Sequence, residues 1–318
     1  STFEDKGSRE QPKLTAPLPP SVLRAMSARI GQSLPVGNEG AGTVVAAGSS
    51  QQAQALLGKK VGFIGGASYA EYRVLHVAQV LPLPEGISAE QGAAWYVNPM
   101  TVLTMIETMR SEGHRAIVHT AAASNLGQML HKVCSKDGIP LINIVRKPEH
   151  VVLLRELGAT YVLDSSTPDF MAQLIEAVAS TSATLAFDAI GGGKLAGQIL
   201  TAMEVAISRR ATGYERYGSS VNKQVYIYGL LDSGPTVLPR TWGLTWSVGG
   251  WLLPVALQKA GAQVEPRLRA RIESELTTTF ASHFARKVSL REALSLEALR
   301  AYAQQATGAK FLITPHVP

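Results

Sequence analysis

Short apolar runs alternate with longer, helix-like patterns between about residue 115 and residue 230. The runs are rich in valine, isoleucine, leucine and alanine, as expected for parallel strands that are buried on both faces. They predict strands at 116–120, 141–145, 161–163, 185–188 and 225–228. Between them apolar positions recur every three or four residues, which predicts helices at 126–135, 148–157, 170–179 and 195–207. This alternation is typical of an α/β domain with a doubly wound parallel sheet, the Rossmann class.

The chain before this region has a different pattern, with short strands separated by glycine and proline. Strands are predicted at 42–47, 60–64 and 72–75, followed by the turn LPLPEG. Many short strands with such turns indicate a β-rich domain or partial barrel. We therefore predict a β-rich catalytic and substrate domain at 1–95 and a dinucleotide-binding domain at 96–260.

The last part of the chain is irregular after Gly229. The segment WGLTWSVGGWLLP precedes a charged helix, RLRARIESELTTTF, and a strand is predicted at 310–313. We predict that residues 261–318 return to the catalytic domain.

Length and composition agree with two globular domains. The chain has 318 residues, 46% of them hydrophobic, which is enough to build a core in each. The single cysteine, Cys134, excludes an internal disulfide and a cysteine-rich structural zinc site. The polar start STFEDKGSREQPK and the absence of a long apolar run predict a cytoplasmic protein without membrane contact.

The net charge of +6 at pH 7 raises the question of a nucleic-acid partner. The basic residues are scattered, and the densest group is Arg209, Arg210 and Arg216. A solvated basic loop is the favoured interpretation of this group. Binding of an anionic ligand and binding of nucleic acid are the alternatives, the latter unlikely.

A candidate phosphate loop, AAASNLGQML, follows the first predicted strand of the α/β domain. Aligned to the dinucleotide motif G-x-G-x-x-G, its three positions are Ala122, Ser124 and Gly127, so one glycine remains. Ser124 and Asn125 could donate to a pyrophosphate at the helix N-terminus, or Ser124 or Asn125 could simply cap the helix. The strand, loop, helix and second strand within about 30 residues favour cofactor binding.

The end of the second strand indicates which cofactor is bound. An acidic residue there would bind the adenine ribose, whereas a basic residue accommodates a 2′-phosphate. The sequence has Arg146 and Lys147 at this place, so NADPH is favoured over NADH. The alternative is that both cations only serve surface solubility.

Five segments in order resemble the medium-chain dehydrogenase/reductase superfamily, in particular its zinc-free branch of quinone oxidoreductases and 2-enoyl thioester reductases. They are GNEGAGTV, NPMT, HTAAASNLGQ with INIVR, FDAIGGG and YIYG. The resemblance spans nearly the whole chain and implies a Rossmann domain joined to a GroES-like partial barrel. It also implies an NADPH-dependent oxidoreductase, acting on a quinone or an α,β-unsaturated carbonyl compound.

The resemblance implies a set of cofactor-binding residues at matching positions. Those expected beside the nicotinamide and its ribose are Asn98, Thr101, Tyr228, Gly229 and Leu230. Those expected beside the phosphates are Ser124, Asn125, Leu126, Gly127, Arg146 and Lys147. Those expected along the adenosine are Asp188, Ala189, Gly191 and Gly192.

The glycine-rich segment Gly37–Val44 is here called the glycine frame. Zinc-dependent members of the superfamily carry histidine and glutamate in this frame, where the present chain has Asn38 and Glu39. An amide is a poor zinc ligand and no second cysteine is available, so we expect no zinc. Asn38 and Glu39 are expected instead to brace the turn through hydrogen bonds to the backbone.

The chain departs from the family pattern in two places. Enoyl thioester reductases have a tyrosine shortly before the glycine frame, whereas this chain has RAMSARIGQSLPV there, without a tyrosine. Tyr69 is therefore the candidate proton donor, with a place in the pocket wall as the alternative. Family members also have more residues before the frame, so the first barrel strands are expected to be missing or the barrel incomplete. Residues 1–33, with four prolines, are expected to form a mobile loop or lid.

An alternative function follows from the missing tyrosine and the unusual phosphate loop, namely a cofactor-binding, redox-responsive interaction protein with little catalysis. A homodimer is expected for either function, because the apolar run 242–253 lies where the family extends its sheet into that of a partner.

Overall fold

The computed structural model describes residues 4–8, 13–18, 20, 23, 26–304 and 310–316. The segment 1–33, expected to be mobile, lies partly outside these residues. The chain divides into two compact units, one formed by 1–97 with 273–318 and the other by 98–272. The sequence analysis places these boundaries after residues 95 and 260.

The strands and helices are named in chain order. The strands are β1 (Glu4–Asp5), β2 (Leu14–Thr15), β3 (Glu39–Thr43), β4 (Lys60–Ile64), β5 (Val80–Pro82), β6 (Ile117–Thr120), β7 (Leu141–Val145), β8 (Tyr161–Asp164), β9 (Leu185–Asp188), β10 (Gly191–Gly193), β11 (Lys223–Ile227), β12 (Asp232–Thr236), β13 (Trp246–Gly250), β14 (Arg286–Val288) and β15 (Phe311–Ile313). The α-helices are α1 (Gln51–Gln54), α2 (Ala89–Gly92), α3 (Val97–Ser111), α4 (Asn125–Asp137), α5 (Pro148–Glu156), α6 (Phe170–Thr181), α7 (Leu195–Ser208), α8 (Leu253–Ala260), α9 (Val264–Glu275) and α10 (Leu296–Gln304). Short 3₁₀ turns lie at Ser27–Arg29, Val77–Gln79 and Glu292–Leu294.

A six-stranded parallel sheet organises the unit 98–272. Its strand order is β13-β11-β9-β6-β7-β8. Strands β6 and β9 are neighbours at the centre, and the chain winds outward from them in both directions, as in dinucleotide-binding folds. The predicted doubly wound α/β fold is confirmed.

The burial of the strands in this unit explains why their sequences are continuous apolar runs. All five residues of β7 are buried, because helices cover both faces of the sheet. On one face α6 and α7 pack against the central strands through a cluster that includes Leu174, Ile199 and Met203. Helix α4 extends one residue before and two residues beyond the predicted range, with Ser124 as N-cap and the left-handed Gly138 as C-cap.

Two short strands, β10 after β9 and β12 after β11, form a small parallel pair that was not predicted from the sequence. Strand β10 is made of three glycines and pairs with β12. At Gly192 a Cβ would lie 2.6 Å from the carboxyl carbon of Asp232, so this pairing requires glycine.

The other unit contains an antiparallel sheet in the order β3-β4-β5. The strand predicted at 42–47 instead spans Glu39–Thr43, because its partner β4 begins at Lys60, opposite Thr43. The strand predicted at 72–75 is wrong. Those residues form no regular element and Val74 is almost fully exposed, while β5 takes the place beside β4.

Further elements complete this unit. Strands β1 and β2 pair antiparallel, and β14 pairs parallel with β15, the strand expected near the end of the chain. Among the described helices, none combines the length and apolarity that crossing a bilayer requires.

Candidate functional site

The strand order of the parallel sheet reverses between β6 and β9. In open α/β sheets, the loops diverge at the carboxyl ends of such strands, and ligands bind in the crevice between the loops. The loops that follow β6, β7, β9 and β11 carry most of the residues expected to bind the cofactor. The structure therefore brings these loop residues to one edge of one sheet.

Thr120 and Asp188 join the two central strands at this crevice. The Thr120 hydroxyl donates to Asp188 Oδ1 at 2.7 Å and accepts from the Ala189 backbone N–H at 2.8 Å. Asp188 also accepts from the N–H groups of Ile190 and Gly191, at 2.9 and 3.2 Å. The Asp188 carboxylate thus holds the loop after β9. Sequence analysis missed Thr120, for which a position directly before the candidate phosphate loop was the available signal.

The loop after β6 is tightly packed against the start of α4. Ala121 has a left-handed φ of 50°, and the Ser124 hydroxyl accepts from the Gly127 N–H at 3.1 Å. A Cβ at Gly127 would lie 2.2 Å from the carbonyl oxygen of Ala122. Gly127 is therefore the residue that permits close contact between loop and helix. Ser124 caps the helix, while Asn125 and Leu126 form its first turn.

The basic residues after β7 are exposed. Lys147 lies 3.7 Å from the Glu149 carboxylate, a surface ion pair of small energy. In the described part of the chain the Arg146 guanidinium has no ion-pair partner. Its five donors are therefore available for an anion at this edge of the sheet.

The residues after β11 combine a buried hydroxyl with a close backbone contact. The hydroxyl of Tyr228 lies 2.7 Å from Nε2 of His119, and burial lowers the pKa of His119 to about 3. Burial also raises the pKa of Tyr228, so this pair is neutral at physiological pH. A Cβ at Gly229 would lie 2.5 Å from the Ala189 carbonyl oxygen, whereas Leu230 is exposed. Two adjacent loops thus touch through backbone atoms.

Asn98 and Thr101 lie in the first turns of α3, Asn98 half-buried and Thr101 buried. Gly191 and Gly192 belong to β10, where the pairing with β12 itself requires small residues. Gly191 and Gly192 thus have a structural role in addition to the expected contacts with a ligand.

In the other unit, the glycine frame holds an internal carboxylate. Glu39 Oε2 accepts from the backbone N–H groups of Tyr96 and Val97, at 2.9 and 2.8 Å. Burial raises the Glu39 pKa, opposed by these two bonds and by the charge of Lys310. Glu39 thus braces the backbone of the distant segment 96–97 and not, as was expected, that of its own turn.

Tyr69 has a partly exposed side chain packed over the glycine frame. A Cβ at Gly37 would lie 2.6 Å from Cδ1 of the Tyr69 ring, so the ring packs directly against this glycine. Burial raises the pKa of its phenol.

In the part of the chain that the structure describes, no group of three or more histidine, cysteine, aspartate or glutamate side chains lies close enough to hold a metal ion. Cys134 is buried in α4, and burial raises the pKa of its thiol.

Comparison with known proteins places this geometry among reductases. No protein-family model matches the chain. A solved structure described as a putative NADPH:quinone reductase from Mesorhizobium loti is 30% identical, with a TM-score of 0.72 over 88% of this chain and 77% of that one. A quinone oxidoreductase from Pseudomonas aeruginosa is 30% identical over 159 residues, 49% of each chain. A mitochondrial enoyl-[acyl-carrier-protein] reductase from Rattus norvegicus is 30% identical over 47% of this chain and 43% of its own. The chain thus spans about half the length of the curated relatives that it matches.

Proposed function

Because the chain belongs to the zinc-free quinone and enoyl reductase branch of the medium-chain dehydrogenase/reductase superfamily, we propose that it is an NADPH-dependent oxidoreductase. The hydride acceptor that we propose is a quinone or an α,β-unsaturated carbonyl compound. The observation that carries the proposal is the reversal of strand order between β6 and β9. There, the hydrogen bond between Thr120 and Asp188 holds two loops at the edge of the sheet that binds dinucleotides in this fold.

The residues at this edge fit a phosphorylated dinucleotide. Gly127 lets the loop approach the N-terminus of α4, where backbone N–H groups and the helix dipole favour a phosphate. Arg146 supplies a guanidinium for a 2′-phosphate, as we propose for NADPH. The nicotinamide of the bound cofactor would supply the hydride, while the protein orients it and excludes water.

The remaining expected contacts follow the same edge. We assign Asn98, Thr101, Tyr228, Gly229 and Leu230 to the nicotinamide side of the cofactor. The His119–Tyr228 pair would hold the strand end in place there. Asp188 supports the loop after β9 and would not contact the cofactor directly, since both of its carboxylate oxygens accept hydrogen bonds from the protein itself.

Zinc independence is part of the proposal and rests on the donors that this chain offers. Asn38 stands where zinc-dependent members have a histidine, and an amide oxygen is a weak ligand for zinc. The Glu39 carboxylate is already bonded to two backbone N–H groups.

The test is NADPH oxidation by the purified protein with quinones, 2-enals and enoyl thioesters as acceptors. We expect steady turnover with at least one class, retained in the presence of a zinc chelator. Loss of activity with the chelator would contradict zinc independence.

A parallel titration of NADPH fluorescence separates the two candidate functions. Binding of NADPH without turnover of any acceptor would favour the alternative, a cofactor-binding interaction protein. Absence of NADPH binding would overturn the assignment of the site itself.

A further inference from the structure

A basic cleft lies at the opposite edge of the parallel sheet from the candidate cofactor site. It is formed by the loop between α7 and β11 and by the loop that leads into β13. Both loops precede strands, so they lie at the amino-terminal edge, whereas the crevice at β6 and β9 lies at the carboxyl-terminal edge. The cleft has a volume of about 880 Å³.

Three arginines line this basic cleft: Arg209, Arg216 and Arg240. Arg209 pairs with Glu176 at 2.5 Å, and the Arg216 guanidinium lies 5.5 Å from the centre of the Tyr217 ring. Within the described residues, neither Arg216 nor Arg240 has a carboxylate partner. Two guanidinium groups are therefore uncompensated.

The acidic side chain that lines the cleft, Glu204, is neutralised by a buried lysine, Lys223. Glu204 Oε2 lies 2.7 Å from Nζ of the fully buried Lys223 and accepts from the Ser219 hydroxyl at 2.7 Å. Glu204 Oε1 accepts from the Ser219 N–H at 2.8 Å. The buried lysine neutralises the floor, which leaves the positive charge of the cleft unopposed.

The two loops are held together by their backbones. Gly218 and Gly243 have left-handed φ values of 79° and 72°, and a Cβ at Gly218 would lie 2.6 Å from Cα of Gly243. The Leu244 N–H donates to the Tyr217 carbonyl at 3.1 Å. Arg240 itself has a left-handed φ of 55°, which is unfavourable for a side chain with a Cβ. Such strain recurs where a side chain is fixed for a ligand.

We propose that this cleft binds a phosphate-bearing small molecule, with Arg216 and Arg240 as its contacts. A guanidinium matches two phosphate oxygens in a fork, and two of them balance a phosphate dianion. Arg210 does not extend the cleft into a track for a nucleic acid, because it donates to Ser182 Oγ at 2.8 Å and to the Ala179 carbonyl. Two contacts suit a small anion, whereas a bound nucleic acid requires a longer series of them.

The test measures binding of inorganic pyrophosphate by calorimetry and by backbone hydrogen exchange on the full chain. We expect amides in 215–218 and 240–244 to exchange more slowly with pyrophosphate present. The variant R216A/R240A should bind it at least about tenfold more weakly, since each charge-assisted contact contributes strongly.

A matched control removes two positive charges from exposed lysines of the other unit, outside both candidate sites. K59A/K60A should keep the protection at 215–218 and 240–244, and the affinity read from that protection should stay within about twofold. R216K/R240K should show intermediate affinity, because charge remains while the fork is lost. Circular dichroism confirms that each variant is folded.

Three results would overturn the proposal. The first is no protection of the two loops by pyrophosphate. The second is equal weakening of that protection in R216A/R240A and K59A/K60A, which would indicate a general charge effect. The third is binding of a single-stranded oligonucleotide at these loops that pyrophosphate does not displace, which would indicate a nucleic-acid surface instead.

Discussion

The Thr120 hydroxyl lies 2.7 Å from the Asp188 carboxylate, although 68 residues separate the two in sequence. Both side chains are fully buried at the point where the strand order of the sheet reverses. This single bond ties the end of β6 to the end of β9 and also sets the path of the loop after β9. The most central interaction of the candidate site is thus one between two protein groups.

Replacing Thr120 with valine should destabilise the protein by about 2 kcal/mol, because it leaves a buried carboxylate and a backbone N–H short of a partner. NADPH binding should weaken as well, since the loop after β9 loses its anchor. Denaturant unfolding and fluorescence titration measure the two effects. Thr120→Ser is the control, because it keeps the hydroxyl and should remain close to wild type. Equal losses in both variants would show that packing of the methyl group matters instead.

Replacing Gly127 with alanine should cost about 2 to 3 kcal/mol of stability, because the new Cβ meets backbone atoms that cannot rotate away. The loop must shift, so NADPH affinity should fall too. Gly213→Ala serves as the control in the same unit, since nothing lies within 4 Å of a Cβ there. A Gly127→Ala protein with unchanged melting temperature would contradict the close packing of loop and helix.

Replacing Arg146 with alanine should weaken NADPH binding about 30-fold while NADH binding changes little, because NADH lacks the 2′-phosphate. The expected factor corresponds to about 2 kcal/mol for a lost arginine–phosphate contact. Arg115→Ala removes an equal, exposed charge at the other end of the sheet and should leave both affinities unchanged. If Arg146→Ala weakens both cofactors equally, Arg146 has a structural role.

Replacing Glu39 with glutamine should change how stability depends on pH. Burial raises the Glu39 pKa in the folded state, so its contribution is fully present below the unfolded pKa and is lost as pH rises through the folded pKa. Glutamine does not ionise and can still accept the N–H bonds of Tyr96 and Val97. The melting temperature of Glu39→Gln relative to wild type should therefore rise from about pH 4 to about pH 8. A relative melting temperature that falls with pH would mean that Lys310 and the N–H bonds outweigh burial.

The homodimer remains a prediction that rests on β13. Within the described residues, β13 is the terminal strand of the parallel sheet and pairs only with β11, and an edge strand of this kind favours pairing with another chain. Trp242 does not require a partner, since it is already buried against Trp246 and the core of its own unit. Light scattering at micromolar concentration should give twice the mass of the chain. The mass of one chain at that concentration would refute the dimer.

Local pattern was sufficient wherever an element is buried along its whole length. Strands β7 and β9 and the starts of α5, α6 and α7 fall at the predicted residues, because the apolar run of a buried strand and the period of a helix are written directly in the sequence. Short exposed segments were predicted less well. Residues 72–75 include three apolar or aromatic side chains, as a strand would, yet they pair with no strand in the part of the chain that the structure describes.

The sequence by itself determined the class of fold, and it predicted the candidate phosphate loop and a cation, Arg146, after the second strand of the parallel sheet. Each of these depends on residues close together in the chain, where propensity and spacing act directly. Only the tertiary structure decided which distant segments meet. In the unit 98–272, Asp188 braces a loop through Thr120, and Arg216 and Arg240 line one cleft with Glu204. In the other unit, Glu39 holds the backbone at Val97. These contacts join distant segments, and their partners are set by strand order and burial, which leave no local signature in the sequence.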